Sequence, residues 1–305
     1  MSRPPDGATA IFEAQRPRLL RLAYRMLGSM SEAEDVVQDA WLRWHRADRA
    51  DIQSPPAFLS RVVTRLCLDA MKSARAQRET YFGTWLPEPI AEDPDEPDHD
   101  DLTLTLMMAL ERLSPLERAA FLLHDVFGVA LDEVAGTLDR EPPAVRQLAV
   151  RARKHVQDAR PRFPVASDEG ERIAAAFFNA TQLGDVQALS RLLAKDVVLQ
   201  SDGGGKVIAF RNPIFGLARV LRLYRGLLRK YGAASPSSFR PLRIDGLPGY
   251  ISRERDVVQT TALEIENGLI TRIYITRNPD KLARIRLLLR ADGDSIIRTI
   301  AVSRN

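Results

Sequence analysis

The chain has 305 residues, of which 45% are hydrophobic and 28% charged, a composition typical of globular proteins with two or three domains. Its single cysteine, Cys67, excludes an internal disulfide framework and favours a reduced, cytoplasmic compartment. Neither a signal peptide nor an apolar run long enough to span a membrane is visible. We therefore expect a soluble intracellular protein without a membrane partner.

Charge is segregated along the chain although the net charge is only +4. Residues 83–101 contain eight acidic side chains and no Lys or Arg, whereas residues 142–163 contain six basic side chains and one acidic. Segregation of this kind indicates separate binding surfaces.

The first 82 residues predict a small helical bundle. Apolar spacing indicates a helix at 8–27 that ends at Gly28, and a capping-box pattern at Ser31–Glu34 opens a second helix. A third helix begins at Pro55 and runs to about residue 79. Its outer face carries a row of cations, which are Arg61, Arg65, Lys72, Arg75 and Arg78.

Cations beside aromatic rings are suited to hold a single-stranded DNA segment through phosphate contacts and base stacking. Trp41 and Trp44 lie near this row, but both stand at core spacing, which favours packing over base stacking.

A linker and a helix-turn-helix follow in the chain order. The acidic, proline-rich residues 83–101 are predicted to form a linker without a core. The helical pattern then resumes in four segments, at 102–112, 115–127, 131–138 and 142–160. The last two are joined by a tight turn near Asp139, which indicates a helix-turn-helix within a domain at 102–163.

The last of these helices has a basic outer face. Its exposed positions are predicted to be Arg146, Gln147, Arg151, Arg153 and Lys154. Arginine pairs with guanine edges, glutamine pairs with adenine, and the other cations contact phosphates in a DNA major groove. A solvated basic face is the alternative, and the preceding helix and turn favour DNA.

Residues 164–305 predict an α+β domain. The pattern indicates, in order, a helix ending at Gly184, a helix at 185–194, a strand at 197–199, a turn at 203–205, a returning strand at 207–210, a helix from Pro213 to about 231, strands at 239–245, 256–265 and 269–277, and a final helix after Asn278-Pro279. Asn267-Gly268 predicts a hairpin between the last two strands.

Two stretches resemble functional helices of one protein family. The sequence from Glu34 to Trp44 is similar to the polymerase-binding helix of extracytoplasmic-function sigma factors, and residues 143–153 resemble their recognition helix. Three shorter strings resemble signatures of SigJ-type sigma factors, which carry a SnoaL-like domain at the C-terminus. They are Trp85-Leu86-Pro87-Glu88-Pro89, Asp202-Gly203-Gly204-Gly205-Lys206 and Asn278-Pro279-Asp280-Lys281-Leu282.

The resemblance implies a division of labour among three domains. Residues 1–82 would be sigma region 2, which binds the RNA polymerase core and melts and reads the −10 element with the cations of the third helix. Residues 102–163 would be the region 4 helix-turn-helix, which reads the −35 element and touches the polymerase flap. The clamp helices of the largest polymerase subunit would be bound by Glu34, Asp35, Gln38, Asp39, Trp41 and Arg43.

The resemblance further implies that the α+β SnoaL-like cone at 164–305 replaces a separate anti-sigma factor. We expect Asp202, Lys206, Asp280 and Lys281 to make polar contacts near Trp85–Pro89 and thereby to modulate activity. Two departures from the family pattern are Ala130 and Glu141, which stand where small polar helix caps are usual. Losing such a cap costs about 1 kcal/mol and removes no DNA contact.

Two other classes of function were weighed. SnoaL-like folds include enzymes with a carboxylate or histidine acid-base group, but all four histidines precede residue 170. Asp202 beside three glycines is more simply a turn residue, and the Gly-Gly-Gly-Lys string lacks the spacing of a phosphate loop. We expect no catalytic residue, cofactor or metal. A stand-alone DNA-binding regulator that senses a small molecule is the second alternative, and the acidic helix at 31–45 argues against it.

Overall fold

The computed structural model describes residues 7–48, 51–79, 81–92, 103–157, 166–232, 239–254 and 257–291. The side chains of residues 73–79, 167, 254 and 288–291 lie outside the description. The chain divides into two compact units, one made of Met1–Thr80 and Leu106–Arg160, the other of Tyr81–Thr105 and Pro161–Asn305. The second unit therefore includes the segment that precedes the helix-turn-helix.

The first unit opens with a three-helix bundle. Its helices are α1 (Gly7–Leu27), α2 (Met30–Arg46) and α3 (Pro55–Glu79). Apolar residues at helical spacing face inward, and Leu19, Met26 and Leu59 are at most 1% exposed. The N-cap of α2 is Ser29, whose side chain accepts a hydrogen bond from the Glu32 backbone. The predicted cap at Ser31 is wrong by two residues, because the Ser29–Glu32 pair has the same spacing and Ser29 has the extended backbone that a cap needs.

Four further helices continue this unit. They are α4 (Leu104–Leu110), in which the division between the units falls, α5 (Pro115–Phe121), α6 (Leu131–Leu138) and α7 (Pro142–Gln157). The predicted single helix at 115–127 changes at Leu122 into a π-helical turn that ends at Val126. Asp139 ends α6 in a left-handed conformation with φ 54°, which forms the tight turn of the helix-turn-helix.

A buried arginine joins these helices to the three-helix bundle. Arg118 of α5 is 1% exposed, and its guanidinium donates hydrogen bonds to the backbone oxygens of Met26 at 2.7 Å and Leu110 at 2.9 Å. The same group forms an ion pair with Glu111 at 2.7 Å. Because Met26 and Leu110 lie at helix C-termini, Arg118 satisfies carbonyl groups that have no partner within their own helices.

The second unit is built on one six-stranded sheet. Its strands are β1 (Leu193–Asp202), β2 (Ile214–Phe215), β3 (Phe239–Ile244), β4 (Leu247–Glu254), β5 (Val257–Glu266) and β6 (Leu269–Thr276). The order across the sheet is β2-β1-β6-β5-β4-β3, and only the β1 and β6 pair is parallel. Helices and strands share this unit, so the predicted α+β class is confirmed.

The two faces of the sheet carry different layers. The helices α8 (Ser167–Leu183), α9 (Val186–Leu192) and α10 (Leu217–Tyr231) lie on one face over a core that contains Phe177, Leu263 and Ile273. On the other face, Ile251 and Val258 pack against α11 (Ala283–Ala291) and Ala91. The alternation of side chains along each strand separates these two cores.

Several predicted boundaries in this unit differ from the structure. Residues 207–210 do not form the expected strand, and the antiparallel partner of β1 is β2, within the stretch assigned to a helix from Pro213. Gly216, with φ 85°, precedes the actual start of α10 at Leu217. The final helix begins at Ala283, because the side chain of Asn278 accepts a hydrogen bond from the Asp280 backbone and closes a turn first.

One strand, β4, was missed. It forms a hairpin with β3 through Asp245 and Gly246, whose φ angles are 45° and 72°. The predicted Asn267-Gly268 hairpin is confirmed, with φ angles of 52° and 75°. Positive φ angles at both central residues match the right-handed twist of the flanking strands.

Candidate functional site

The acidic helix α2 presents most of its predicted binding residues to solvent. Asp35, Gln38, Asp39 and Arg43 are exposed, and Glu34 is half-buried. Their side chains lie opposite the apolar stripe that packs into the bundle. The face therefore offers a mixed acidic and polar surface to a partner.

The two tryptophans of α2 differ in their surroundings. Trp44 is 1% exposed, and its indole Nε1 donates a hydrogen bond to the Ala8 carbonyl at 2.8 Å. Trp41 is half-buried, and its ring packs edge-on against Phe12 with centroids 5.0 Å apart. Trp44 is a core residue, so the packing alternative holds for it.

The cations of α3 are divided between solvent and internal contacts. Arg61 is exposed, and Lys72 forms an exposed ion pair with Asp69 at 2.8 Å. Arg65 donates from Nε to the backbone oxygen of Thr137 in α6 at 3.2 Å. The side chains of Arg75 and Arg78 lie outside the described residues.

Helix α7 has the two faces that the sequence predicts. Its inner residues Val145, Leu148, Ala149, Ala152 and Val156 are buried. On the outer face Arg146, Gln147 and Lys154 are exposed, and they stand next to Arg151 along the helix. Such a face fits the dimensions of a DNA major groove.

Two of the α7 arginines have ionic partners within the unit. Arg153 pairs with Asp125 at 2.6 Å and is 39% exposed, and Arg151 pairs with Glu117 at 3.2 Å and is 60% exposed. The Arg153 pair connects α7 to the π-helical turn, so this side chain holds the helix in place. Arg146, Gln147 and Lys154 remain directed to solvent.

The second candidate site is centred on the carboxylate of Asp202, which is completely buried at the end of β1. Its Oδ1 accepts hydrogen bonds from the Tyr81 hydroxyl at 2.6 Å and the Gly204 backbone at 3.0 Å. Its Oδ2 accepts from the Leu86 backbone at 3.0 Å and pairs with Lys281 at 2.8 Å. Asp202 therefore closes its own turn and also holds the linker segment.

Lys281, which follows β6 in the chain, completes this centre. Its Nζ donates to the Leu86 carbonyl as well as to Asp202, and it lies 4.2 Å from the centroid of the Trp85 ring. An ammonium over an indole face is attracted by the electrons of the ring. Burial and the hydrogen bond to Asp202 raise the pKa of Tyr81, and the Asn278 side chain donates to the same hydroxyl at 2.9 Å.

The linker signature itself is buried. Leu86 is 0% exposed and Pro87, Glu88 and Pro89 are also buried, with Glu88 3.9 Å from Arg284. The expectation that this segment has no core is wrong for residues 86–89, where Leu86 is held by Asp202 and Lys281 and the side chains are buried. Its acidic part at 93–102 lies outside the described residues.

The remaining motif residues shape the turn around Asp202. Lys206 and Asp280 pair with each other at 2.6 Å, with side chains 55% and 63% exposed, and do not contact residues 85–89 in the described part of the chain.

Gly204 has φ 62°, and a Cβ there would lie 2.4 Å from the Asn278 amide nitrogen. A Cβ on Gly203 would lie 2.3 Å from the Val207 carbonyl oxygen. Only glycine fits this close approach. Pro279 is half-buried and Leu282 is fully buried on the α11 side of the sheet.

Sequence reasoning missed three residues that fasten the linker. They are Tyr81, Glu92 and Asp245. The Asp245 backbone donates to the Ile90 carbonyl at 3.0 Å, and Glu92 forms an ion pair with Arg243 at 3.0 Å. The Asp245-Gly246 hairpin signal would have located one of these contacts.

Within the described ranges, no group of three His, Cys, Asp or Glu side chains is arranged to hold a metal ion. No helix in the part of the chain that the structure describes is both long and apolar enough to cross a membrane.

Comparisons with known proteins agree along nearly the whole chain. The Sigma-70 region 2 family matches residues 11–77, and the Sigma-70 region 4 family matches residues 103–156. The ECF RNA polymerase sigma factor SigJ of Mycobacterium tuberculosis (strain H37Rv) is 36% identical over 288 residues, which cover 88% of this chain and 91% of that protein. The probable ECF RNA polymerase sigma factor SigI of M. tuberculosis (strain CDC 1551) is 32% identical over 290 residues, 92% of this chain and 97% of that protein.

A solved structure supports the same relationship. The crystal structure of the M. tuberculosis extracytoplasmic function sigma factor SigJ superposes with a TM-score of 0.72 at 34% identity. The superposition covers 90% of this chain and 97% of that chain, so it includes the helical regions and the α+β domain.

Proposed function

The chain belongs to the extracytoplasmic-function family of RNA polymerase sigma factors, and we propose residue roles for its contacts with polymerase and promoter. Its sigma regions 2 and 4 imply the polymerase core and promoter DNA as partners. In our proposal residues 1–82 bind the core and the −10 element, residues 102–163 bind the −35 element and the flap, and residues 164–305 regulate. The protein acts in the bacterial cytoplasm, where the polymerase is found.

The observation that carries this proposal is the geometry of α7. Its apolar side is buried in the unit, while Arg146, Gln147 and Lys154 project from the other side. In a helix-turn-helix the early residues of the second helix reach base edges. Arg146 and Gln147 are therefore the base readers, Lys154 and Arg151 bind phosphate, and Arg153 positions the helix through Asp125.

For the polymerase contact, the exposed row Asp35, Gln38, Asp39 and Arg43 of α2 is the surface that meets the clamp helices. Glu34 and Trp41 at its edge extend this row. Arg61, Arg65, Lys72, Arg75 and Arg78 of α3 contact the phosphates of the −10 region.

Regulation acts through the buried linker segment. Asp202 accepts a hydrogen bond from the backbone N–H of Leu86, and Lys281 donates one to its carbonyl group. Leu86 precedes the helix-turn-helix in the chain. Release of this segment changes how much chain connects region 2 to region 4. A fused domain that controls the connection makes a separate anti-sigma factor unnecessary.

The role of the fused domain is regulatory rather than enzymatic in this proposal. Asp202, the buried carboxylate of its motifs, is fully engaged by Tyr81, Gly204, Leu86 and Lys281. A carboxylate that is already saturated with donors is a structural group rather than a general base.

Runoff transcription with core polymerase tests the proposed function. The template is the promoter upstream of the protein's own gene, and the full-length chain is compared with Asp202→Asn and Arg146→Ala variants. Specific transcripts that require the full-length protein are expected, and Arg146→Ala should reduce them. Tight binding to the same DNA together with no transcript would replace the sigma-factor role by that of a stand-alone regulator.

A further inference from the structure

The outer face of α10 is a row of arginines that does not contribute to the fold. The inner side of the helix packs on the sheet through Val220, which is fully buried, and through half-buried leucines. The exposed side carries Arg219, Arg222, Arg225 and Arg229. Their spacing of three, three and four residues places them on one side over about 15 Å.

Within the part of the chain that the structure describes, these four side chains have neither an ion pair nor a side-chain hydrogen bond. Like charges three or four residues apart destabilise a helix, so helix stability does not explain the row. The sequence around it is equally one-sided, because residues 203–244 contain nine basic and no acidic side chains. A surface of this kind attracts an anionic partner.

The acidic segment of the same chain is flanked by residues bonded at the opposite edge of the sheet from the strands on which α10 packs. Glu92 and Leu104 bracket it, and their backbone N–H groups donate to the carbonyl groups of Arg243 and Asp245 in the β3–β4 hairpin. Helix α10 packs on β1 and β2, three or four strand spacings of about 4.8 Å away and on the other face of the sheet.

The composition of the row indicates which polyanion binds. Within helix α10 itself the only exposed ring is that of Tyr231 at the last position, 38% exposed, and the one exposed ring beside its start is that of Phe215. Protein interfaces have an apolar or aromatic centre, and single-stranded nucleic acid requires stacking rings. Duplex DNA requires neither, because its backbone presents a continuous row of phosphates, about one for each 3.4 Å of axis on each strand.

We propose that α10 binds the phosphate backbone of duplex promoter DNA, as a sequence-independent contact in addition to those of regions 2 and 4. The proposal rests on the sigma-factor function only for the identity of the DNA. It adds an electrostatic contact by the SnoaL-like domain itself, carried by Arg219, Arg222, Arg225 and Arg229.

The test is the salt dependence of DNA binding by full-length protein, measured by fluorescence anisotropy. The variant Arg222→Gln/Arg225→Gln keeps side chains that favour helix and removes two charges. The matched control, Arg253→Gln/Arg286→Gln, removes two exposed charges of the same domain on the α11 side of the sheet. Each protein is titrated onto a promoter duplex and onto a duplex of scrambled sequence from about 50 to about 200 mM KCl.

For the α10 variant we expect the slope of log K against log salt to become shallower by about 2, or about 0.9 for each lost phosphate contact. The affinity at low salt should fall by the same factor on both duplexes, and the control should keep the wild-type slope. Equal slopes for variant and control would overturn the proposal, as would absence of wild-type binding to either duplex at low salt.

A variant that keeps its DNA slope but loses affinity for core polymerase would also overturn it, in favour of an acidic polymerase surface. Failure here is distinguishable from failure of the sigma-factor role. Runoff transcripts that persist while the slopes are equal remove only the α10 contact. A reduced slope without any transcript would leave α10 as a DNA-binding surface in a protein that is not a working sigma factor.

Discussion

The Nε atom of Arg65 in α3 lies 3.2 Å from the backbone oxygen of Thr137 in α6 and donates a hydrogen bond to it. Arg65 is one of the cations that we assign to the −10 element, and Thr137 lies in the helix that precedes the recognition helix. One side chain therefore joins region 2 to region 4. The proposed contact of Arg65 with DNA would compete with this hydrogen bond for the same guanidinium group.

Replacing Arg65 by Gln should loosen α6. Loss of one hydrogen bond of about 1 kcal/mol makes opening about fivefold more frequent, so amide hydrogens of α6 should exchange about fivefold faster. Hydrogen-deuterium exchange with mass spectrometry measures this, and Arg61→Gln, one turn away and exposed, is the control. Identical exchange in the two variants would show that the Arg65 contact does not hold α6.

Arg118→Met should unfold the helical unit at lower denaturant. The change leaves the Met26 and Leu110 carbonyl groups and the Glu111 carboxylate without their buried partner. The expected loss is about 2 to 4 kcal/mol in the free energy of unfolding. Urea denaturation followed by circular dichroism gives the value. Arg112→Met, an exposed neighbour, should cost less than about 0.5 kcal/mol, and a similar loss in both variants would contradict the role of Arg118.

Asp202→Asn and Asp280→Asn should behave very differently although both break an ion pair with a lysine. Asp202 is fully buried, so the change leaves Lys281 without its carboxylate and should release residues 81–92, which limited proteolysis detects. Asp280 and Lys206 are more than half exposed, and pairs of this kind contribute about 0 to 1 kcal/mol. Equal protease resistance of the two variants would mean that Asp202 does not anchor the linker.

Glu264→Gln should flatten the pH dependence of stability. Burial raises the pKa of Glu264, although Thr105 at 2.8 Å and Arg272 at 3.2 Å oppose the shift. Between its usual pKa and its raised pKa in the folded state, Glu264 is ionised in the unfolded chain but still protonated in the folded protein. The folded state then binds more protons than the unfolded state, so its stability falls as the pH rises through the folded-state pKa. Thermal melts should show the wild type losing stability relative to the variant over that window. Parallel melting curves would contradict the prediction.

Arg146→Ala should relax promoter selection, because a two-pronged arginine contact with guanine contributes about 1 to 3 kcal/mol of discrimination. Transcription from a panel of promoters with single substitutions in the −35 element measures this effect. Arg153→Ala should instead weaken all promoters alike, since Arg153 pairs with Asp125. Equal base preferences for wild type and Arg146→Ala would remove Arg146 from the base readers.

The helices could be predicted from sequence because their apolar spacing is long and regular. The exposed face of α7 could be predicted directly from the sequence, because five apolar residues at helical spacing occupy the buried side and leave the other side for Arg146 and Gln147. Strand β4 was missed because Pro248 and Gly249 interrupt its pattern, although Asp245-Gly246 carries a hairpin signal like that of Asn267-Gly268. A local sequence pattern predicts a strand poorly where packing against the neighbouring strands determines whether the strand forms.

The parts of the sites that sequence could not supply depend on long-range contacts. Arg118 reads as a surface residue, and its burial depends on carbonyl groups that lie 92 and 8 residues away in the chain. The motifs around Asp202 and Lys281 were visible, whereas Tyr81 has no motif and joins them only through the fold. Likewise, Leu86 lies in an acidic, proline-rich context and is fully buried, with its backbone bonded to Asp202 and Lys281, which lie 116 and 195 residues away.

The two ends of the acidic segment, at Glu92 and Leu104, are fastened to the same β-hairpin. Chain added between two fixed ends costs little conformational entropy, about 0.6 kcal/mol for each doubling of loop length. The separation of the two ends is set by the hairpin, so lengthening the chain between them leaves that separation unchanged. This hairpin therefore makes the segment a suitable position for an inserted fluorescent reporter or affinity tag in the intact sigma factor.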